Sequence, residues 1–323
     1  VYKRQAHTFT TAERMAIYEQ ESIPLGTQAG RQTLASYAEA TNCDLATVSE
    51  SVTHLIVVSC TGFFAPGLDL AIARALSLAP TVARTLIGFM GCSAAFNGLR
   101  LAAEIVSGRP DARVLVICVE LCSLHIQPGT DRENLISAAL FADGAAACLV
   151  AAADANVSNI FKINGFRTSI KPDTTAAMVW QIGDHGFKLR LSPKIPDHLG
   201  EAGPEALAQL MGPDTRPRFW AIHPGGKAIV DRLAEIFALK PGQVQASRSV
   251  LSQVGNVSSA TILFVLETLR QQLRAEAPDQ EDIRGVAMAF GPGLVIEMAD
   301  LAYVPPPGHR VKREAADAKM VVA

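Results

Sequence analysis

At 323 residues, 49% hydrophobic and 19% charged, the chain is long and apolar enough to bury a large core, which excludes a disordered or fibrous protein. A formal net charge of -2 gives no global basic field, and this speaks against nucleic-acid binding through a charged surface. Six cysteines without a CxxC pair, most of them inside apolar runs, speak against a disulfide scaffold or a structural zinc site and point to a reducing, cytoplasmic setting.

In chain order, the opening VYKRQ lacks Met, so a fragment or processed form with missing N-terminal elements is expected. No charge-free run of about 18 residues predicts a transmembrane helix, and no signal segment opens the chain. HLIVVSCTG at 54–62 reads as a strand and LDLAIARALSLA at 68–79 as a helix. TLIGFM at 85–90, then Gly91-Cys92-Ser93, then AAFNGLRLAAEIV read as strand, tight turn and helix. RVLVICVEL at 113–121 has the continuous apolar pattern of a strand covered on both faces. ALFADGAAACLVAA at 139–152 follows. The second half repeats this order with FWAIHPGG at 219–226, a helix at 228–239, the turn Gly255-Asn256, a helix at 260–276 and AMAFGPGLVIEMA at 287–299. A shift of 163 carries Cys60 to His223, 164 carries Cys92 to Asn256, and 149 carries Phe141 to Phe290. Two similar α/β halves are therefore expected, 1–155 with the cysteine and 156–304 with His223 and Asn256, their sheets sandwiching helices. From 304 the Pro-led, charged tail reads as a mobile extension, 305–323.

A thiol with an ordinary pKa near ~8.5 is mostly neutral at pH 7, so a cysteine nucleophile needs an imidazole or a helix N-terminus to hold its thiolate. The elbow places Cys92 beside the first free amides of a helix. Taken alone, Cys92 reads equally well as a small buried hydrophobe. A duplicated fold brings equivalent turns together near a pseudo-twofold axis, so Cys92 is expected to approach Asn256, with His223 at the end of a partner strand.

MGCSAAFNG, ALFADGAAA, HPGG, GNVSSA and FGPG at 290–293 together resemble the type III polyketide synthases, the chalcone-synthase-like branch of the thiolase fold. The resemblance spans roughly 54–303, and the five blocks stand in the family's order. It implies a duplicated, layered αβαβα fold and an acyltransferase that condenses malonyl-CoA onto an acyl-CoA starter by iterative decarboxylative Claisen chemistry. It further implies a homodimer that uses coenzyme A thioesters as substrates and needs no other cofactor and no metal. By the resemblance Cys92 carries the growing chain as a thioester, His223 and Asn256 bind its carbonyl, and Phe141 packs at the tunnel constriction; Phe141 also reads as ordinary core. His223, as imidazolium, is the expected charge partner of the Cys92 thiolate. Gly291, Pro292 and Gly293 fit a rigid turn shaping the cavity floor, or turn duty alone.

Departures from the plant pattern bear on the substrate. Cys60 and Ala65 replace the usual Thr and Met, Cys122 and His125 stand at cavity-wall positions usually held by Thr, and Leu189 falls at the second gatekeeping Phe. Smaller walls imply a longer or differently aimed tunnel, and the SCTGF and ELCSLH blocks look like those of microbial alkylresorcinol or alkylpyrone synthases, so a fatty acyl starter and a pyrone or resorcinol-type product are expected. His125 reads more readily as a satisfied core histidine than as a catalytic group. Gly225, Gly226 and Lys227 are candidates for coenzyme A contact, with a solvated surface lysine as the alternative. Rivals are a β-ketoacyl carrier-protein synthase III, a Cys-His-Asn hydrolase, and an inactive scaffold or fragment.

Overall fold

A computed structural model describes residues 9–126, 129, 132–153, 157–276, 282–306 and 320–322. Its elements are α1 (Thr11–Thr41), α2 (Leu45–Ser51), β1 (His54–Ser59), α3 (Leu68–Ala75), β2 (Ala83–Gly88), α4 (Ala94–Gly108), β3 (Arg113–Leu121), α5 (Arg132–Leu140), β4 (Asp143–Ala152), β5 (Ile160–Ile170), β6 (Met178–Gly183) and β7 (Gly186–Leu191). They continue as α6 (Ile195–Met211), β8 (Phe219–Ile222), α7 (Lys227–Ile236), α8 (Gln245–Gln253), α9 (Thr261–Glu276), β9 (Ile283–Gly291), β10 (Val295–Val304) and β11 (Met320–Val322).

The period-two alternation of the strands generates the layers. Ile56 and Val58 of β1 and Val114 and Val116 of β3 face one core, where α4 and α9 pack with Phe219, Ala221, Ala287 and Ala289 of the second half. Leu55, Val57, Leu115 and Ile117 alternate with them and face an outer core covered by α1, α2 and α3. In the second half Trp220, Ile222, Val286 and Met288 face the other outer core, under α6 and α7. Helices, one half of the main sheet, helices, its other half and helices again make the expected αβαβα layering. The duplication is equally visible in the pairing. β1 runs parallel to β3 and β3 antiparallel to β4, as β8 runs parallel to β9 and β9 antiparallel to β10. Helices α4 and α9 follow equivalent turns and share the central layer, which is why those turns meet.

Three differences from the sequence reading stand out. Helix α1 was not foreseen, although Thr10 and Glu13 form a reciprocal capping box at its start. The hairpin β6–β7 was also missed, although Gly183 to Gly186 is turn-forming sequence between alternating apolar residues. The third concerns the tail: Met320–Val322 adds as a strand between β4 and β5, completing a 9-stranded sheet, rather than being wholly a free extension. Two strand edges with unpaired backbone groups face each other there, and a third strand satisfies both. The expected boundary at 155/156 falls at 154–156, and most of the tail at 307–319, both outside the described residues. No helix among the described residues is long and apolar enough to cross a membrane.

Candidate active site

The elbow forms as the sequence predicts. β2 ends at Gly88, residues Gly91–Ser93 make a single 3-10 turn, and α4 begins at Ala94. Gly91 has a φ of +72°, and a Cβ built on it would lie 2.2 Å from Pro292 Cδ. Only glycine meets both demands. Pro292 belongs to the β9–β10 turn, whose Gly291 likewise leaves no room for a Cβ, since Ser93 Oγ would lie at 2.3 Å, and whose Gly293 has a φ of +74°. The FGPG turn therefore packs directly on the elbow, beyond plain turn duty. Gly91→Ala is expected to cost about 2–5 kcal/mol, from a left-handed backbone and an overpacked contact. Thermal unfolding checks this, and an unchanged midpoint with unchanged turnover would contradict it.

Asn256 sits at the equivalent turn of the second half. Its backbone pairs with the Phe141 segment, Asn256 N–H donating to Leu140 O and Ala142 N–H to Asn256 O, both at 2.9 Å. Its side-chain Oδ1 accepts from Ser258 N–H at 2.9 Å, which fixes the amide orientation and leaves Nδ2 as the free-facing donor. Nδ2 makes one long bond, 3.5 Å, to Gly225 O. The Ser258 and Asn256 side chains stand beside the Cys92 thiol and act to lower its pKa. Cys92 and Asn256 thus meet across 164 positions of sequence, as the duplication requires.

His223 follows the last residue of β8 and is 1% exposed. Neither ring nitrogen has a hydrogen-bond partner among the described residues. A buried imidazole left this way is costly unless something else occupies its nitrogens. Its Nε2 lies 3.7 Å from the position a Cβ would take on Gly225, the residue whose carbonyl holds Asn256. One loop therefore carries the imidazole and anchors the amide.

Burial pushes the Cys92 thiol up to about 11, against the Ser258 and Asn256 hydrogen bonds that lower it. Burial also drives His223 down to about 3. The standing imidazolium expected from sequence is not what this setting favours, because a lone charge on either group forfeits hydration.

A cavity of about 720 Å³, counting its mouth, opens over Cys92. Cys60, Cys122, His125, Phe141, Leu189 and Pro292 line it, as expected. Thr61, Met178, Trp180, Phe187 and Ser258 also line it, and sequence reasoning missed all five. Leu189 is smaller than a gatekeeping Phe, and the larger Trp180 and Phe187 line the same cavity. Ala65 is exposed on the loop after β1 and is not part of this wall, since the chain there runs out to the surface toward α3. Gly225 and Gly226 lead into α7, outside the cavity wall. Lys227 is 85% exposed and pairs with Asp231 at 2.7 Å, in the manner of a solvated surface lysine.

His125 is the satisfied core histidine the sequence favoured. Its Nδ1 accepts from Phe187 N–H at 3.0 Å and its Nε2 donates to Thr61 O at 2.7 Å, which fixes the neutral tautomer. Burial pushes it down to about 4. Behind Cys60 lies a fully buried carboxyl, Glu120, another group the sequence reading passed over. It accepts from Cys60 N–H, the Thr61 hydroxyl and the Ser259 hydroxyl, so it ties the loop after β1 to the turn after Asn256. Burial raises it to about 7, with those donors pulling the other way. The missed signal was a lone Glu closing an otherwise apolar strand. Among the described residues no three His, Cys, Asp or Glu side chains converge into a metal-binding group.

Comparison with known proteins agrees with this geometry. Residues 3–154 match the family model for chalcone and stilbene synthases, N-terminal domain, and 164–305 match that for the C-terminal domain. The chain is 35% identical to type III polyketide synthase 10 of Oryza sativa subsp. japonica, over 89% of this chain and 73% of the rice protein. It is 28% identical to the alpha-pyrone synthesis polyketide synthase-like Pks18 of Mycobacterium tuberculosis, over 92% of this chain and 74% of that protein. Among solved structures, the type III polyketide synthase domain of Steely1 from Dictyostelium superposes with a TM-score of 0.83 at 26% identity, covering 93% of this chain and 81% of that one. PKS-I of the brown alga Ectocarpus siliculosus gives 0.83 at 28% identity, covering 92% and 78%.

Proposed function

The chain belongs to the chalcone and stilbene synthase family, the type III polyketide synthases, and from that premise we propose how its own residues carry out the condensation and on which starter. It is an acyltransferase of the polyketide synthase kind. The observation that carries the assignment of roles is the buried, unpartnered His223 ring on the loop whose Gly225 carbonyl holds Asn256 Nδ2, with Asn256 in turn acting on the Cys92 thiol.

An acyl-CoA enters the cavity, Cys92 gives its proton to His223, and the thiolate attacks the acyl carbonyl, expelling coenzyme A thiol, which takes a proton back. Malonyl-CoA then places its thioester oxygen between His223 Nε2 and Asn256 Nδ2. Loss of CO2 puts negative charge on that oxygen, and two fixed donors in a water-poor site stabilise it without reorganising. The enolate carbon attacks the Cys92 thioester, and the chain leaves the sulfur two carbons longer. Phe141, a cavity-wall residue paired through the backbone with Asn256, presents an apolar face that disfavours the malonyl carboxylate relative to neutral CO2. No carrier protein is needed.

The apolar cavity wall, together with the 28% likeness to a protein named for alpha-pyrone synthesis, supports a fatty acyl starter and a pyrone or resorcinol-type product. Leu86 on the edge strand β2, Met90 just after it and Phe63 on the loop after β1, each more than a third exposed, support docking of a second copy as a homodimer. Purified protein given radiolabelled malonyl-CoA with hexanoyl-, lauroyl- and palmitoyl-CoA tests the reading. Labelled pyrones or resorcinols, most from the longer starters and without carrier protein, are expected; products only with a carrier protein would overturn it.

A further inference from the structure

The hairpin β6–β7 supplies Met178, Trp180, Phe187 and Leu189 to the cavity wall, yet it is a two-stranded sheet separate from the main one. Among the described residues no ladder to a third strand fixes its place, and an isolated hairpin holds its position poorly by itself. Single contacts set its place: Gly293 N–H donates to Met178 O at 3.0 Å at one end, and the first turn of α1 holds the other.

Thr11 N–H donates to Asp184 O at 2.8 Å, the Thr11 hydroxyl donates to Gly183 O, and Gly186 N–H donates to the same hydroxyl at 2.8 Å. One threonine thereby holds both sides of the hairpin turn. Arg14, one helical turn on, is 1% exposed and donates from Nη1 to Leu124 O and from Nε to Phe9 O. Leu124 precedes His125, whose ring stacks on Phe187 at 4.0 Å and meets Trp180 edge-on at 5.6 Å. Gly186, at φ +95°, is pressed between them, and a Cβ there would stand 3.0 Å from Arg14 Cδ and 3.1 Å from His125 Nδ1. Trp180 completes the clamp by donating from Nε1 to Cys60 O at 2.8 Å.

We propose that Thr11 and Arg14 are positioning residues for the acyl-binding wall, holding the β6–β7 hairpin where it selects among starters while taking no part in condensation. This rests on the reading of the cavity as an acyl site. The start of α1 thus acts on selectivity through the hairpin, remote from Cys92.

Thr11→Val keeps the shape and removes the hydroxyl, and Thr11→Ser restores it. The chain has two tryptophans, so in a Trp220→Phe background Trp180 emission reports the hairpin alone. Thr11→Val is expected to shift that emission to the red and to raise the KM for the best starter by about two- to tenfold, part of what its two lost hydroxyl hydrogen bonds represent. It should reorder the preference among hexanoyl-, lauroyl- and palmitoyl-CoA, leave malonyl-CoA decarboxylation within about twofold, and be reversed by Thr11→Ser. An unchanged starter order in an active enzyme overturns the proposal, and so does unchanged Trp180 emission. If the unmodified protein extends no starter at all, the acyl-site reading fails instead, and the emission still decides whether Thr11 holds the hairpin.

Discussion

Cys92→Ala is expected to abolish polyketide formation, by at least ~10⁴-fold, while decarboxylation of malonyl-CoA remains measurable. The two halves of the reaction use different atoms. Chain loading and elongation need a nucleophile that holds the acyl group, and no other cysteine is suited to replace this one. Cys60 and Cys122 line the same cavity, but burial raises both thiols well above the ordinary range, with Glu120 adding to it. Cys60 is also engaged at its sulfur by Gly91 N–H at 3.0 Å. Decarboxylation needs only donors for a developing oxyanion, the role proposed for His223 and Asn256. Radiochemical assay of CO2 beside chromatography of products separates the two activities. Product formation by the alanine variant at even a hundredth of the normal rate would contradict the role given to Cys92.

The second large effect concerns the donors. Asn256→Ala is expected to slow decarboxylation by ~10²–10³, the usual consequence of losing one preorganised oxyanion donor. His223→Gln, which keeps a donor amide, should lose less in decarboxylation but more in acyl loading, because the proton acceptor for the thiol is gone. The pH dependence gives the sharper contrast. On the proposed mechanism His223 gives the Cys92 proton an internal destination, so that a thiolate–imidazolium pair is reached with no net change of charge. Without it the thiol has no proton acceptor to set against the burial that raises its pKa. Alkylation of Cys92 by iodoacetamide should therefore require higher pH in His223→Gln than in the unmodified protein. An identical alkylation profile in the two proteins would separate His223 from Cys92 and remove the imidazole from the loading step.

The parts of this architecture that were legible in the sequence are those where one residue type satisfies a local demand. The elbow at Gly91-Cys92 was visible because a strand pattern stops at a glycine and a helix pattern begins, and the positive φ with no space for a Cβ explains why glycine stands there. β3 was visible from its unbroken apolar run, since both of its faces are buried. The meeting of Cys92 and Asn256 followed from duplication alone. The rest depends on contacts that no local pattern encodes. Trp180 and Phe187 enter the cavity because His125 and Thr11, distant in sequence, hold their hairpin there. Glu120 stands in an apolar strand, and its purpose appears only when Cys60, Thr61 and Ser259 converge on it. Ala65 shows the reverse: a place in a family motif suggested a cavity wall, whereas its loop carries it to the surface. The ionisation of the pair was also beyond sequence, because residue types announce a thiol and an imidazole but not the burial that keeps each neutral by itself.

The most direct test of the central claim is intact-protein and peptide mass spectrometry after brief exposure to lauroyl-CoA, followed by malonyl-CoA. The account expects a single lauroyl adduct on the Cys92 peptide, absent in Cys92→Ala, which disappears when malonyl-CoA is added as labelled product appears. An adduct on another cysteine, or product formation with no acyl group ever held on Cys92, would contradict it.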